Sequence, residues 1–112
     1  MNVTARHREG ITILDFKGKI TIGVGDIALR DAVIEALDAG SRNLLINLKD
    51  VSTIDSSGVG ELVASYTTVT NRGGNLRLLN IPPKVMDILQ ITQLITVFDS
   101  FDDEDEAVAS FT

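Results

Sequence analysis

The chain has 112 residues, a net charge of −6 at pH 7 and no cysteine. Its length is typical of one domain, and the lack of cysteine excludes disulfides and thiolate metal sites. The acidic balance argues against a nucleic-acid partner, because Lys and Arg carry phosphate binding, and it suits a basic protein surface as partner. We therefore expect a single domain over residues 1–112.

We expect neither a secretory signal nor a membrane span. Residues 1–7 lack the apolar core of a secretory signal, and no apolar run approaches the roughly 18 residues of a membrane span. These features predict a cytoplasmic protein without a membrane partner.

Strand and helix patterns alternate in the first half of the chain. Residues 3–8 and 11–17 alternate as two strands that meet at a hairpin turn, Glu9-Gly10, and Gly18 ends the pair. Asp26 is predicted to be the N-cap or the first-turn anion of a helix that stops near Gly40. That helix has one apolar stripe, formed by Leu29, Ala32, Val33, Ala36 and Leu37. The apolar run Leu44 to Leu48 then predicts a strand covered on both faces.

The second half continues the alternation. Val59, Leu62, Val63, Tyr66 and Val69 lie at helical spacing, and residues 76–79 follow as a strand. Pro82-Pro83 opens a third helix, residues 96–98 are predicted to be the last strand, and residues 102–111 the last helix. Ile91, Leu94, Ile95, Val97 and Phe98 are expected to lie mostly in the core, with a partner-facing patch as the alternative. The order β-β-α-β-α-β-α-β-α predicts an α/β fold: a small, mostly parallel mixed sheet opened by a hairpin, packed with about four helices.

One short segment carries unusual chemistry, Asp55-Ser56-Ser57-Gly58-Val59-Gly60, which we call the switch segment. A nucleophilic serine needs a base within hydrogen-bond reach, commonly a histidine that a third group orients. The only histidine, His7, lies in the opening hairpin, and the segment lacks the preceding glycine of a nucleophile elbow. The pattern therefore argues against hydrolysis, and we expect no catalytic residues and no enzyme activity.

Two interpretations of the switch segment fit its residues. In the first, Ser56 or Ser57 caps the following helix, which is worth about 1 kcal/mol. In the second, a serine accepts a phosphate, whose charge of about −1.5 to −2 would lie beside Asp55 and be partly accommodated by the helix N-terminus. Gly58 and Gly60 each cost a helix about 1 kcal/mol relative to alanine. We interpret both glycines as keeping the surface open to a partner.

Two further motifs have ordinary explanations. Residues 23–28 (Gly23-Val24-Gly25-Asp26-Ile27-Ala28) formally match a relaxed dinucleotide-binding fingerprint. However, the preceding strand belongs to a hairpin and Asp26 would face the phosphates, so flexible loop glycines are the simpler interpretation. The acidic run at residues 102–106 fits no calcium loop, because its carboxylates are consecutive, and it predicts a solvated helix start. Neither motif predicts a cofactor or a metal.

Over essentially its whole length the chain resembles a STAS domain of the anti-sigma factor antagonist type, the bacterial anti-anti-sigma factors. The specific part of the resemblance is the stretch from Asn47 to Gly60, which ends in the switch segment. The run Gly73-Gly74-Asn75-Leu76-Arg77-Leu78 and the helix after Pro82-Pro83 support it.

This resemblance implies a function and a site. In that family the serine directly after the aspartate is phosphorylated by an anti-sigma factor with serine kinase activity, which implies Ser56 here, with Asp55 and Ser57 as neighbours. The unphosphorylated form would bind the anti-sigma factor and so release a sigma factor, and a PP2C-type phosphatase would reset the cycle. ATP would belong to the kinase.

The chain departs from the family's pattern after the second strand, where Gly-Glu-(Leu/Ile)-Asp is often found. Here the stretch is Gly18-Lys19-Ile20-Thr21, so Lys19 and Thr21 replace the acidic pair. We include both in the expected partner-binding neighbourhood, with Lys19 as a candidate neighbour of a phosphate on Ser56. Two alternatives stay open: a STAS adaptor in a stressosome-like assembly or lipid-transport ABC system without a phospho-switch, and a nucleotide-binding protein that uses residues 23–28.

Overall fold

The computed structural model describes all residues, 1–112, and contains one five-stranded sheet. The first two strands are antiparallel, and every later pair is parallel. The strands lie side by side in chain order: β1 (Asn2–Arg8), β2 (Ile11–Ile20), β3 (Asn43–Ile54), β4 (Asn75–Leu79) and β5 (Ser100–Phe101). The predicted fold, a mostly parallel mixed sheet opened by a hairpin, is confirmed.

Four α-helices connect or follow the strands, as predicted. They are α1 (Gly25–Asp38), α2 (Ser56–Asn71), α3 (Pro83–Ile91) and α4 (Glu104–Ala109). None of them combines the length and the apolar character that a membrane crossing requires.

The sheet is buried on both faces. Helices α1, α2 and α3 cover one face through a large apolar cluster that includes Leu44, Ile46 and Leu48. The short helix α4 covers the other face, where Ala107 and Val108 pack with Leu45 and three further residues of the sheet, Ile11, Ile13 and Leu79. The apolar run of β3 is therefore covered on both sides, as its composition predicts.

The opening hairpin is confirmed, but its second strand is longer than predicted. Glu9 and Gly10 both have positive φ (52° and 78°), the conformation of a tight hairpin turn. Pairing with β1 stops at Lys17, yet β2 continues to Ile20, because its other edge keeps pairing with β3. Gly18 absorbs a register shift at φ 124° instead of ending the strand.

The last strand is also displaced from its predicted position. Residues 94–96 form one 3₁₀ turn, and the strand is Ser100–Phe101, so the prediction of a strand at residues 96–98 is wrong. Phe98 is buried and packs edge-to-face on Tyr66 at 5.4 Å between ring centroids. Ile91, in contrast, is 82% exposed. Phe98 therefore packs in the core against α2 and does not pair in a strand.

The acidic run at the start of α4, residues 102–106, is largely engaged in contacts. The Asp103 carboxylate caps α4 by accepting a hydrogen bond from the Glu106 amide at 3.0 Å. The Glu104 carboxylate forms ion pairs with Arg6 at 2.7 Å and Arg8 at 3.0 Å. The Asp105 carboxylate forms an ion pair with Arg8 at 2.6 Å. The helix start is therefore correctly predicted, but it is attached to β1 by ion pairs and is not simply solvated.

Candidate functional site

The switch segment turns the chain from β3 into α2. Asp55 is the N-cap, with an extended backbone, and its Oδ1 accepts a hydrogen bond from the Gly58 amide at 2.9 Å. The interpretation that Ser56 or Ser57 caps this helix is therefore wrong, since the aspartate already satisfies the amide that a capping serine would use. Ser56 is the first helical residue and is exposed, whereas Ser57 is half-buried.

The second carboxylate oxygen of Asp55 holds a loop from another part of the sequence. Oδ2 accepts a hydrogen bond from the Ile22 amide at 2.9 Å. The backbone amides of Ile22 and Gly58 lower the pKa of the Asp55 carboxyl, because they favour its charged form. One carboxylate thus joins the start of α2 to the loop between β2 and α1.

That loop and the first turn of α1 present apolar side chains to solvent on the side of Asp55. Ile22 is 73% exposed, Val24 66% and Ile27 41%, and these are three of the four large apolar residues exposed on the whole domain. Ile22 and Val24 lie in the loop and Ile27 in the first turn of α1, and we call these three residues the apolar loop. Isolated exposed apolar residues are ordinary, whereas a group of them is the kind of surface on which interaction sites are often found.

Asp26, the acidic residue of the glycine-rich stretch, forms hydrogen bonds within its own loop and helix start. Asp26 is a first-turn anion of α1, but it is not the N-cap, which is Val24 and makes no side-chain bond. Its Oδ1 accepts hydrogen bonds from the amides of Gly23 at 2.9 Å and Ile27 at 2.8 Å. A phosphate bound at this helix start would need such amides. The geometry therefore disfavours the nucleotide-binding alternative.

The two switch-segment glycines have different surroundings. A Cβ on Gly58 would lie 2.0 Å from the Ile20 carbonyl oxygen, so this position admits only glycine. A Cβ on Gly60 would meet no atom within 4 Å. The interpretation that both glycines keep the surface open therefore does not hold for Gly58, which lets α2 pack against the end of β2. Val59 beside it is 5% exposed and belongs to the core.

The stretch that departs from the family's pattern lies at the same end of the sheet. Lys19 and Ile20 pair with Thr53 and Ile54, directly before Asp55. Lys19 is exposed, and Thr21 is half-buried with its carbonyl accepting a hydrogen bond from the Asp26 amide at 3.1 Å. The fold thus brings Lys19 and Thr21 to the strand ends that carry Asp55, Ser56 and Ser57.

The histidine that a serine nucleophile would need lies elsewhere. His7 Nδ1 is 3.3 Å from Thr12 Oγ1, near the hairpin. Thr12 is eight residues before Ile20 on β2, a distance of about 26 Å at roughly 3.3 Å per residue. Ser56, at the Ile20 end, has no histidine partner. No group of three or more His, Asp or Glu side chains is arranged to hold a metal ion.

Sequence reasoning did not find the apolar loop or the double role of Asp55. The available signal was two apolar side chains, Ile22 and Val24, on either side of Gly23 in a predicted loop. The hydrogen bond from the Ile22 amide to Asp55 spans 33 positions of sequence and has no local signature.

Fold and site together define a small α/β domain that presents one free serine hydroxyl at a helix N-terminus beside an apolar loop. The chain belongs to the STAS domain family, whose family model matches residues 2–107. Among its relatives, the anti-sigma-B factor antagonist of Bacillus subtilis is 30% identical over 88% of this chain and 89% of its own length. The anti-sigma F factor antagonist of Paenibacillus polymyxa is 23% identical over 96% of this chain and 92% of its own length.

Solved structures agree on the fold. An anti-sigma factor antagonist from Mycobacterium paratuberculosis superposes with a TM-score of 0.85 at 21% identity, over 98% of this chain and 92% of that one. The Bacillus cell fate determinant SpoIIAA, in its phosphorylated form, gives 0.74 at 19% identity, over 99% of this chain and 100% of that one. A sulfate transporter family protein from Wolinella succinogenes gives a TM-score of 0.73 at 20% identity, over 92% of this chain and 85% of that one.

Proposed function

We propose that this domain is an anti-sigma factor antagonist controlled at Ser56. In its unphosphorylated form it binds an anti-sigma factor that has serine kinase activity and thereby releases a sigma factor. Phosphorylation of Ser56 by that partner ends the binding, and a PP2C-type phosphatase restores it. The names of the two relatives above support the antagonist role, and the phosphorylated form of SpoIIAA supports a phosphate switch.

The observation that carries the proposal is the position of Ser56. Its hydroxyl is exposed, has no capping role, and lies beside an apolar loop that the neighbouring Asp55 holds in place. A kinase can reach such a hydroxyl, and a partner can cover the adjacent apolar surface. The same partner would therefore contact both features.

A phosphate on Ser56 would act on this surface in two opposing ways. Beyond the N-cap Asp55, the first turn of α2 contains no acidic residue, so the positive end of the helix dipole would partly stabilise an added anion. The Asp55 carboxylate, which is charged at pH 7 as an aspartate ordinarily is, would repel the phosphate. A partner that packs on Ile22 and Val24 would also have to desolvate the dianion. We therefore expect the phosphorylated domain to stay folded but to bind its partner more weakly.

Phosphate mapping tests the site. We expect a lysate of the native organism, supplied with the domain and ATP, to place phosphate on Ser56 as detected by mass spectrometry. Ser56→Ala should abolish the incorporation, and Ser57→Ala, the matched control one position away, should retain it. Phosphate found on another residue, or a Ser56→Asp variant that captures the same kinase as well as wild type, would contradict the switch.

A second experiment tests the apolar loop as the binding surface. We expect Ile22→Ser combined with Val24→Ser to weaken capture of the anti-sigma factor by about tenfold or more, as removal of central apolar contacts does. Ile91→Ser is the matched control, because Ile91 is also exposed but lies on α3. Equal binding by both variants would place the interface elsewhere.

One observation favours a second function, that of an adaptor in a larger assembly. A sulfate transporter family protein contains the same fold, so the fold alone does not imply a phospho-switch. Recovery of transporter subunits in place of a serine kinase from the same lysate would support this alternative.

A further inference from the structure

A groove of about 400 Å³ runs along the open edge of the sheet, between β1 and α1. We call it the edge groove. Its walls are apolar: Val3, Ala5 and Leu14 line the sheet side, and the alanines Ala28, Ala32 and Ala36 line the helix side. One end is closed by polar side chains, where the Thr12 hydroxyl contacts Ser41 Oγ at 2.6 Å and His7 Nδ1 at 3.3 Å. It shares no residue with the switch segment or the apolar loop.

One wall of the groove is an unpaired strand edge. β1 is the outermost strand and pairs only with β2, so its other side presents free backbone N–H and C=O groups. The alternate residues Val3, Ala5 and His7 line the groove. The two arginines of β1, which could discourage a further strand, form ion pairs with Asp15, Glu104 and Asp105. The edge is therefore seven residues long and unprotected on its groove side.

The rim of the groove is acidic. Asp31 and Glu35 line it from α1, no Lys or Arg lines it, and neither carboxylate takes part in an ion pair. The nearest basic neighbour in sequence, Arg30, is directed to Glu61 at 4.0 Å. Asp31 and Glu35 are one helical turn apart, about 6 Å along the axis. Alternate residues of an extended peptide are about 6.6 Å apart, which matches this spacing.

We propose that β1 binds an extended, basic peptide segment of a partner protein as a sixth strand. The peptide backbone pairs with the free edge of β1, a small apolar side chain enters the edge groove, and two Lys or Arg side chains reach Asp31 and Glu35. A second copy of this chain is the less suitable occupant, because two domains of charge −6 would bring the same carboxylates together.

Defined peptides test this proposal. The probe is fluorescein-labelled Thr-Val-Thr-Lys-Thr-Lys-Thr, acetylated and amidated, in which Val and both Lys fall on one face of a strand. We expect fluorescence anisotropy to show saturable binding with a Kd below about 1 mM. NMR shifts should move for residues 3–7 and along α1. The same peptide with Glu for Lys should not bind, and backbone N-methylation should weaken binding by about tenfold or more.

Matched variants of the domain separate the contributions. Asp31→Asn with Glu35→Gln should weaken binding of the lysine peptide by about fivefold. Asp87→Asn with Asp102→Asn, which removes the same charge from exposed positions outside the groove, should leave it unchanged. Ala32→Phe, checked for folding by circular dichroism, should abolish binding by filling the groove.

Three results would overturn the proposal: no binding of the lysine peptide at 1 mM, equal binding by the glutamate peptide, or equal binding by the methylated peptide. Concentration-dependent dimerisation that the peptide does not reverse, measured by sedimentation, would overturn it in favour of a second copy.

Discussion

Helices α2 and α4 begin in the same way and are used differently. Each has an aspartate as N-cap, Asp55 or Asp103, whose side chain accepts a hydrogen bond from the amide three residues later. The first turn of α4 holds three acidic residues, two of which pair with arginines of β1. The first turn of α2 holds two serines and a glycine, and no acidic residue.

Because of this difference, the start of α4 is attached to the sheet, whereas the start of α2 is exposed. In α4 the favourable position for negative charge at a helix start is already occupied, and the ion pairs fasten the helix to the sheet. In α2 the Asp55 carboxylate is the only negative charge at the helix start, and its second oxygen accepts a hydrogen bond from the Ile22 amide. Asp55 thus contacts both the start of α2 and the loop that contains Ile22, whereas the carboxylates of α4 contact β1.

The largest effect is expected where α2 contacts the end of β2. Gly58→Ala places a Cβ about 2.0 Å from the Ile20 carbonyl oxygen and 2.6 Å from Ile54 Cγ1. We expect it to reduce the free energy of unfolding by about 1–3 kcal/mol, as overpacking typically does. Urea denaturation at pH 7 measures this change.

Gly60→Ala is the matched control for that substitution. It lies in the same helix, but its Cβ would meet open space. We expect a gain of about 0.5–1 kcal/mol, because alanine favours a helix more than glycine does. If both variants lost stability equally, the close approach of α2 to β2 would be refuted.

A smaller, local effect is expected at the two capping aspartates. Asp55→Ala removes the acceptor for the amides of Ile22 and Gly58, so both should exchange hydrogen roughly tenfold faster in NMR experiments. Asp103→Ala should accelerate exchange at Glu106 and leave Ile22 unchanged. Slow exchange at Ile22 in the first variant would mean that Asp55 does not hold the apolar loop.

Much of the fold could be predicted because its signals are local. The apolar stripe of α1, the continuous run of β3 and the turn at Glu9-Gly10 each reflect one element and its burial. The misplaced element, β5, has two residues and pairs only with Leu78 and Leu79. Its position depends on where the chain returns to β4 after α3, and short-range patterning does not contain that information.

The site was predicted less completely for the same reason. The exposed serine and its aspartate are adjacent in sequence and could be recognised together. The reason for Gly58 is an atom of β2, and the partner of the Asp55 side chain is a loop amide, so neither was accessible to spacing rules. Glycine and aspartate at a helix start have several local explanations, and only the tertiary contacts select among them.

The smallest expected effect is a change in how stability depends on pH when the ion pairs at the start of α4 are removed. Hydrogen bonds from Arg6 and Arg8 lower the pKa of the Glu104 carboxyl. Since a carboxyl with a lowered folded-state pKa stabilises above its unfolded pKa of about 4, this contribution is lost as the pH falls through the folded value. Urea denaturation should show that, between pH 6 and pH 3, the free energy of unfolding of Glu104→Gln falls by up to about 1 kcal/mol less than that of wild type. Glu106→Gln, exposed and unpaired on the same helix, should follow wild type. Equal acid dependence in all three proteins would mean that the ion pairs do not fasten α4, and the contrast with α2 would then rest on the hydrogen bonds of Asp55 alone.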